Sequence, residues 1–303
     1  MGTRRMQAAF NALEKRFGDM KSITDPSLSV TTSSSITRQG LLDLVSHKAA
    51  ALHVKGFFPV SHCKEVADDL LESNAMNWMV SHGDSDLESS DVDAVGLPFN
   101  VATSSGREVE YFNNSLGQIR RWRKGLQMSP IDKLRLEMDE VWDYGCTLAR
   151  KKDDPSKPYS AGIGRIMRPR TKFDPKRWTR GFAHVDELAV MSKDKGLFSA
   201  NIYLKNPQCG GELHIWPVTY NSRWGFYRNA STLAWLLSQD PYGQQMLRDK
   251  LPTPLSIKID EGDLVLLCTQ RPHGVKGPIV GGPRVSIQTF IQYKIGEPFR
   301  LDS

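Results

Sequence analysis

The chain has 303 residues, of which 39% are hydrophobic and 24% are charged, and its formal net charge is +6. This composition is that of a water-soluble globular protein, long enough for one large domain or two small ones. No apolar run approaches the roughly 20 residues that cross a bilayer, and the N-terminal segment lacks the apolar core of a secretory signal. We therefore expect an intracellular, most simply cytoplasmic, protein with no membrane partner.

The cysteines exclude two further classes of protein. Cys63, Cys146, Cys209 and Cys268 are far apart in the chain and include no C-x-x-C pair. Neither a disulfide framework nor a thiolate zinc site is therefore predicted. We expect four free thiols.

Basic residues are concentrated in two clusters, within residues 120–124 and 165–180, and the second leads directly to His184. A nucleic-acid interface would explain such clusters, but a solvated surface that attracts an anionic small molecule is the favoured explanation. We therefore predict a carboxylate-bearing small-molecule ligand and no nucleic-acid partner. The sequence makes no prediction about the oligomeric state.

An amphipathic helix is predicted over residues 1–21, where apolar side chains recur at helical spacing between basic ones. Two interpretations compete. An organelle transit peptide would be similarly basic, but Glu14 and Asp19 count against it, and a helix packed on the outside of its own domain is favoured. Residues 31–35 are typical of a flexible connector. The predicted division is therefore an N-terminal segment, residues 1–35, and a main domain, residues 36–303.

The next part of the chain predicts helices and one long loop. A strand over residues 49–58 precedes a helix over residues 61–73, which Ser61 is expected to cap. Residues 81–106 are rich in Ser, Asp and Gly and predict a loop whose length is usual for a lid or a binding segment. A second helix is predicted over residues 131–150 because Pro130 suits a first helical turn and an apolar stripe follows.

After Pro158 the pattern changes to short apolar segments separated by Gly and Pro. Seven strands are predicted, near residues 161–168, 182–190, 197–205, 211–217, 254–259, 263–269 and 284–294. A helical insertion near residues 220–252 separates the fourth strand from the fifth, and within it Asp240 and Pro241 have the form of an N-cap and a first helical residue. This order predicts an α+β fold in which a β-barrel or sandwich carries flanking helices.

An imidazole and a carboxylate, His184 and Asp186, lie two residues apart in the second predicted strand. On a strand this spacing directs both side chains to one face, where they can share a divalent metal. An H-x-D alone arises often by chance, so a third ligand is required. His273 stands apart from the other histidines because it lies between two predicted strands, and His214, within a strand, is an outside candidate.

With this set of residues the sequence resembles the iron(II)- and 2-oxoglutarate-dependent oxygenases. In that family an H-x-D and a distant His bind the metal, and an Arg after the distal His, often in R-x-S, holds the far carboxylate of 2-oxoglutarate. His184, Asp186, His273, Arg284 and Ser286 match these positions in order. The gap of 87 residues (273 minus 186) is long, which the helical insertion explains, and the Arg follows at an offset of 11 (284 minus 273).

The resemblance covers about residues 48–295 and implies a double-stranded β-helix, or jelly-roll barrel, with flanking helices. It implies that His184, Asp186 and His273 bind Fe(II), with 2-oxoglutarate and O2 as co-substrates. Arg284 and Ser286 are then the 2-oxoglutarate contacts, since a guanidinium can bind a planar carboxylate through two hydrogen bonds. The implied products are succinate, CO2 and an oxidised substrate.

Asp186 also bears on the reaction. The related halogenases carry a small residue at this position, so hydroxylation, desaturation or oxidative ring closure is favoured over halogenation.

Ser199, Asn201 and Tyr203 share one face of a predicted strand and either face a ligand or form the solvent face of an edge strand. Weaker candidates for substrate binding are Arg165, Tyr111, Phe112 and Trp216.

The favoured substrate is an amino acid or an amino-acid-derived metabolite, because the basic segment before His184 suits a carboxylate. In its predicted architecture the sequence resembles the stand-alone amino-acid hydroxylases and halogenases, and the kainoid synthases of specialised metabolism. The alternative is a hydroxylase or demethylase of protein or nucleic acid, for which no added recognition domain is evident. A binding module without activity is disfavoured because none of the five matched positions is degenerate.

Overall fold

The computed structural model describes residues 3–73, 76–77, 92–115, 117–118, 128–169, 183–187, 189–220, 222, 224–225, 241–278 and 280–303. Its helices are α1 (Thr3–Phe17), α2 (Arg38–Val45), α3 (Val60–Glu72), α4 (Phe99–Ser104), α5 (Glu108–Glu110), α6 (Pro130–Val141) and α7 (Pro241–Lys250). Its strands are β1 (Ser29–Ser33), β2 (Ala49–Val54), β3 (Met76–Asn77), β4 (Val92–Val95), β5 (Cys146–Leu148), β6 (Ile163–Met167), β7 (Lys195–Lys205), β8 (Leu213–Ile215), β9 (Leu255–Ile257), β10 (Leu264–Cys268), β11 (His273–Val275), β12 (Arg284–Lys294) and β13 (Phe299–Asp302).

Ten strands of the described residues form one large mixed sheet. Eight follow in the order β1-β2-β10-β7-β12-β6-β4-β3, and β13 pairs with the C-terminal half of β12 and with β5. The long strands β7 and β12 pair in an antiparallel ladder at the centre, and β10 covers the other edge of β7. Because β7 has neighbours on both sides, none of its residues lies on an edge strand.

A smaller sheet, in the order β11-β8-β9, packs on one face of the large sheet, which we call the inner face. Leu213 and Ile257 of the small sheet share an apolar cluster with Tyr203, Val265 and Leu267 of the large one. The opposite face of the large sheet carries the helices. There, residues of α2, α3 and α6 form the main apolar cluster together with apolar residues of the large sheet. From the helices come Leu44, Val66, Leu70 and Leu134, and from the strands come Ile202, Leu266 and Ile287.

Six of the seven predicted strands are present, as β6, β7, β8, β9, β10 and β12, and the last matches its predicted limits at both ends. The prediction of a strand over residues 182–190 is wrong for its described residues. There, His184 forms an isolated β-bridge and Asp186 lies in a bend. The carbonyl oxygens of Ala189 and Val190 accept hydrogen bonds from the side chain of Gln270 instead of a neighbouring strand, so no ladder continues.

The predicted helix over residues 131–150 ends much earlier. Helix α6 begins at Pro130 with Ser129 as its N-cap, whose hydroxyl accepts from the backbone N–H of Asp132 at 3.1 Å. It ends at Val141, and Gly145, with a φ of +76°, turns the chain into β5. The apolar residues continue past the helix because β5, whose first residue Cys146 is buried, pairs in parallel with β13.

Three smaller predictions also need correction. Helix α3 begins at Val60, one residue before the expected cap Ser61, and Pro59 occupies the N-cap position. The predicted loop over residues 81–106 contains β4 and α4, and its part before residue 92 lies outside the described residues. The predicted connector over residues 31–35 begins inside β1, which pairs in parallel with β2.

Helix α1 packs on the rest of the chain, as the favoured interpretation predicts. Phe10 is fully buried, and the ammonium of Lys250 on α7 lies 2.7 Å from the carboxylate of Glu14. Helix α7 begins at Pro241, within the predicted helical insertion. Asp240 and both basic clusters, apart from residues 165–169, fall outside the described residues. Within the described chain, no helix has the length and apolar character needed to traverse a bilayer.

One buried carboxylate is expected to make stability depend on pH. Asp302 is 9% exposed, and Gln292 Nε2 donates a hydrogen bond to its Oδ2 at 2.5 Å. Burial raises the pKa of Asp302 to about 6, and the hydrogen bond from Gln292 offsets only part of this rise. Since an unfolded Asp has a pKa of about 3.9, the folded protein binds this proton more tightly. The free energy of unfolding therefore falls as the pH rises through this interval.

Asp302→Asn removes the ionisation and keeps an oxygen that accepts from Gln292. We expect the variant to equal the wild type in stability near pH 4 and to exceed it above pH 6 by about 1 to 3 kcal/mol. Urea unfolding at pH 4 and at pH 7.5 measures both differences. A stability difference that is the same at the two pH values would contradict a buried, titrating Asp302.

Candidate metal centre

The three predicted ligands meet beside strand β11. The backbone N–H groups of His184 and His273 each donate to the other's carbonyl at 3.0 Å, so the His184 segment extends the small sheet. The Asp186 carboxylate lies 3.5 Å from His184 Nε2 and 3.3 Å from His273 Nε2. One ligand atom from each residue lies within 4.8 Å of the others. Two ligand atoms that bind one metal at about 2.1 Å on neighbouring positions are about 3 Å apart, and both Asp186–His distances are close to that spacing.

The His273 ring is oriented for metal binding by its neighbour in the chain. Nδ1 lies 2.9 Å from the carbonyl oxygen of Arg271. Because a carbonyl only accepts, Nδ1 carries the proton and donates, and the lone pair of the neutral ring is on Nε2. Nε2 is also the atom that faces Asp186, so the nitrogen that can bind a metal points to the other two candidate ligands.

The electrostatics of the site favour a cation between these groups. Burial opposes ionisation of Asp186, but the hydrogen bond from His273 and the charges of His273, His184 and Arg165 together hold its pKa well below the ordinary value. Burial also opposes charge on His273, yet the Asp186 carboxylate outweighs it and raises the pKa of that imidazole. A proton and a divalent metal therefore compete for the same imidazole nitrogen.

His214 is not part of this group. Among the described residues, the three ligands form the one cluster of His, Cys, Asp or Glu side chains with metal-ligand spacing. His214 lies on β8 opposite Gly274, whereas His273 lies opposite Ile215. Side chains alternate between the faces of a strand, so His214 and His273 are on opposite faces of the small sheet.

A row of polar side chains lies on the inner face of the large sheet. The register pairs Ser286 of β12 with Arg165 on one side and with Tyr203 on the other, and it pairs Gln288 with Asn201. Cross-strand partners share a face, so these five residues point to the same side of the sheet. Tyr203 belongs to the apolar cluster between the two sheets, which identifies that side as the inner face.

Arg284, two residues before Ser286, is a buried cation without a strong acceptor. It is 4% exposed, and its guanidinium lies 4.7 Å from the centre of the Tyr203 ring. Nη1 donates to the thioether of Met167 at 3.3 Å, while its Nε and the Ser286 hydroxyl are buried and have no hydrogen-bond partner among the described residues. Such groups are costly to bury alone, so the pair fits a ligand that brings a carboxylate.

Ser199 and Asn201 are joined in a hydrogen-bonded group by a residue that the sequence did not single out. Asn201 Nδ2 and Gln288 Nε2 both donate to the Ser199 hydroxyl, at 3.0 and 2.8 Å. Gln288 Oε1 is buried, and no described residue donates a hydrogen bond to it. Gln288 follows Ser286 by two residues on the same face, so continuing the R-x-S alternation by one step identifies it. The alternative that Ser199, Asn201 and Tyr203 form an exposed edge is wrong, since β7 is central.

Arg165 is the second cation of the row. Burial lowers the pKa of Arg165 to about 10, the charge of Asp186 acts in the opposite sense, and that of Arg284 lowers it further. The charges of Asp186 and Arg284 therefore both act on the Arg165 guanidinium. Arg165 thus lies between the candidate metal ligands and the rest of the inner-face row.

The remaining candidates are placed elsewhere. Tyr111 and Phe112 pack in a separate aromatic cluster, where the Tyr111 hydroxyl accepts from the backbone N–H of Ser160 at 2.8 Å. Trp216 is 2% exposed, its side chain belongs to the main apolar cluster, and its backbone N–H donates to the carbonyl of Pro272 at 2.9 Å. The structure thus brings none of these three side chains into the inner-face row.

Neither the protein-family models nor the curated proteins include a match to this chain. Among solved structures, an N-substituted L-amino acid dioxygenase from Burkholderia ambifaria is similar, with a TM-score of 0.52 and 12% identity over 89% of this chain and 92% of that chain. A structure of such a dioxygenase from the same organism in complex with α-ketoglutarate, which is 2-oxoglutarate, has a TM-score of 0.52 and 11% identity, covering 88% of this chain and 91% of that chain. This chain is therefore similar in fold to these dioxygenase structures.

Proposed function

We propose that the protein is an Fe(II)- and 2-oxoglutarate-dependent oxygenase with a jelly-roll fold that oxidises a C–H bond of a small, carboxylate-bearing metabolite. The observation that carries this proposal is the convergence of His184, Asp186 and His273, whose ligand atoms lie within 4.8 Å although 87 residues (273 minus 186) separate the last two in the chain. The likeness in fold to dioxygenase structures supports it.

The donor set fits Fe(II). Two neutral imidazoles and one carboxylate occupy one face of an octahedral ion and leave positions for other ligands. When bound, the iron supplies O2 activation coupled to the conversion of 2-oxoglutarate into succinate and CO2. The protein holds the ligands in place, with His273 fixed in the required tautomer by Arg271, and binds the organic reactants around them.

Arg284 and Ser286 would bind the distal carboxylate of 2-oxoglutarate. Both present buried hydrogen-bond donors that have no partner in the described part of the chain, and both lie on the inner face of β12. A guanidinium matches a planar carboxylate with two parallel hydrogen bonds, and a hydroxyl can donate a third. The ring of Tyr203 under the guanidinium limits its freedom before the ligand binds.

The substrate would then meet the rest of the inner-face row. Arg165 supplies a positive charge near Asp186, and the hydrogen-bonded group of Ser199, Asn201 and Gln288 supplies a free carbonyl acceptor. A cation and an acceptor suit a molecule that carries both a carboxylate and an N–H or O–H donor. We therefore propose an amino acid or an amino-acid-derived metabolite as the substrate, undergoing hydroxylation or oxidative ring closure. The similar Burkholderia structure is of an amino acid dioxygenase.

Substrate screening tests this proposal. The protein is incubated with Fe(II), 2-oxoglutarate, O2 and a panel of free, N-substituted and N-prenylated amino acids. We expect one class to gain an oxygen or lose two hydrogens by mass spectrometry, with succinate released in proportion. Asp186→Ala serves as the inactive control. Oxidation of peptides or oligonucleotides in place of these metabolites would instead establish the macromolecular alternative.

A further inference from the structure

The segment that carries His184 and Asp186 is irregular, although it supplies two of the three ligands. After the bridge at His184 the chain bends at Asp186, and Ala189 and Val190 are exposed. A strand inside a sheet is fixed by a ladder of backbone hydrogen bonds to its neighbours. Here the position of the Asp186 carboxylate must depend on other contacts.

The turn over residues 269–272 supplies such contacts. The carbonyl of Thr269 accepts from the backbone N–H of Asp186 at 3.1 Å. The side-chain amide of Gln270 donates to the carbonyl oxygens of Ala189, at 2.7 Å, and Val190, at 3.2 Å. Because the same turn leads directly into His273, it connects the irregular segment to the third ligand.

Gln270 is itself held firmly enough to act as an anchor. It is 1% exposed, and its backbone carbonyl accepts from the indole N–H of Trp224 at 3.1 Å. Gly196 makes room for its side chain, since a Cβ there would lie 3.3 Å from Gln270 Oε1. The preceding Thr269 donates through its hydroxyl to the carbonyl of Leu197 on β7 at 2.8 Å. The turn is therefore fixed to the large sheet.

We propose that Gln270 is a positioning residue for the metal site, whose side-chain amide clamps the segment after Asp186 and so sets the distance between that carboxylate and His273. The inference rests on the proposed function only in requiring that these ligands bind a divalent metal. Without the two N–H donors, the carbonyls of Ala189 and Val190 turn to water and the bend at Asp186 loosens. Loss of such an outer contact typically weakens metal binding by roughly 10- to 100-fold.

Cobalt binding to the metal-free protein tests the clamp. Gln270→Met keeps the unbranched length of the side chain but has no N–H donors. We expect its Co(II) affinity, measured by competition with a chromophoric chelator, to fall at least tenfold, within the usual range of about 10- to 100-fold for outer contacts. Amide hydrogen exchange should accelerate over residues 184–190. Gln270→Glu has nearly the same shape but replaces the amide donor by an acceptor. It should lose Co(II) affinity in the same way, and it takes the place of Gln270→Met if that variant does not fold.

Thr289→Val is the matched control, because it removes a buried hydrogen bond of 2.7 Å to the carbonyl of Asp302 on the strand pair β12 and β13. It should lower the melting temperature but leave Co(II) affinity unchanged. Unchanged affinity in Gln270→Met, or an equal loss in Thr289→Val, would overturn the inference. Asp186→Ala separates the two proposals: if it binds Co(II) as the wild type does, the metal site is wrong, and if it alone loses binding, only the clamp is wrong.

Discussion

Asp186→Ala is expected to abolish divalent metal binding and, with it, the formation of succinate from 2-oxoglutarate. The Asp186 carboxylate lies within 3.5 Å of both His184 Nε2 and His273 Nε2 and is the one anionic member of the cluster. Removing it leaves two neutral imidazoles to hold a divalent ion. The loss should exceed the roughly 10- to 100-fold that follows removal of an outer hydrogen-bond partner. Co(II) titration and succinate assays measure the two effects.

Asp186→Asn and Asp194→Ala complete the comparison. The Asn variant keeps the size of the side chain but not its charge, so it should show a loss nearly as large as that of the Ala variant. Asp194 is an exposed carboxylate in the same part of the chain and is not among the three ligands, so its removal should leave metal affinity unchanged. If the metal affinity of Asp186→Ala stays within about threefold of the wild type, Asp186 is not a metal ligand and other residues must bind the ion.

Arg284→Ala is expected to raise the 2-oxoglutarate concentration that the enzyme requires. Truncating a buried charged contact costs about 2 to 5 kcal/mol, which corresponds to roughly 30-fold to several thousand-fold weaker binding. Arg284→Lys should lie between this variant and the wild type, because an ammonium keeps the charge but loses the paired hydrogen bonds of a guanidinium. Succinate formation against 2-oxoglutarate concentration measures the effect.

Two controls make the Arg284 result specific. Co(II) affinity should be unchanged in Arg284→Ala, since Arg284 is not one of the metal ligands. Arg300→Ala removes an exposed guanidinium that pairs with Glu297, and it should not alter the 2-oxoglutarate requirement. If Arg284→Ala leaves the 2-oxoglutarate requirement unchanged, the contact to the distal carboxylate must be assigned to Arg165, the other cation of the inner-face row.

The sequence was sufficient for those features that local residue types determine. Strand β12 was predicted to its last residue because Gly and Pro precede Arg284 and a turn at Gly296 follows an apolar alternation. The ligand set was predictable because each ligand type occurs in the right order, with an Arg at the expected distance after His273. The fold brings the candidate ligand atoms of His184, Asp186 and His273 within 4.8 Å of one another.

The features that the sequence did not predict depend on contacts between residues that are far apart in the chain. The segment after His184 has a strand-like composition, yet Gln270, about eighty positions later, binds its carbonyls and replaces a ladder. Helix α6 ends at Val141, and the chain beyond it pairs as β5 with β13, a long-range pairing that helical periodicity does not indicate. Gln288 was missed because the R-x-S alternation was not continued by the two further residues along β12 that lead to it.

Anaerobic titration of the metal-free protein with Fe(II) and 2-oxoglutarate tests the central claim most directly. If His184, Asp186 and His273 hold the iron while Arg284 holds the co-substrate, a weak visible metal-to-ligand charge-transfer band should develop. It should require both additions, and it should be absent from Asp186→Ala. No band from the wild type at saturating Fe(II) and 2-oxoglutarate would contradict the assignment of this site as an iron and 2-oxoglutarate centre.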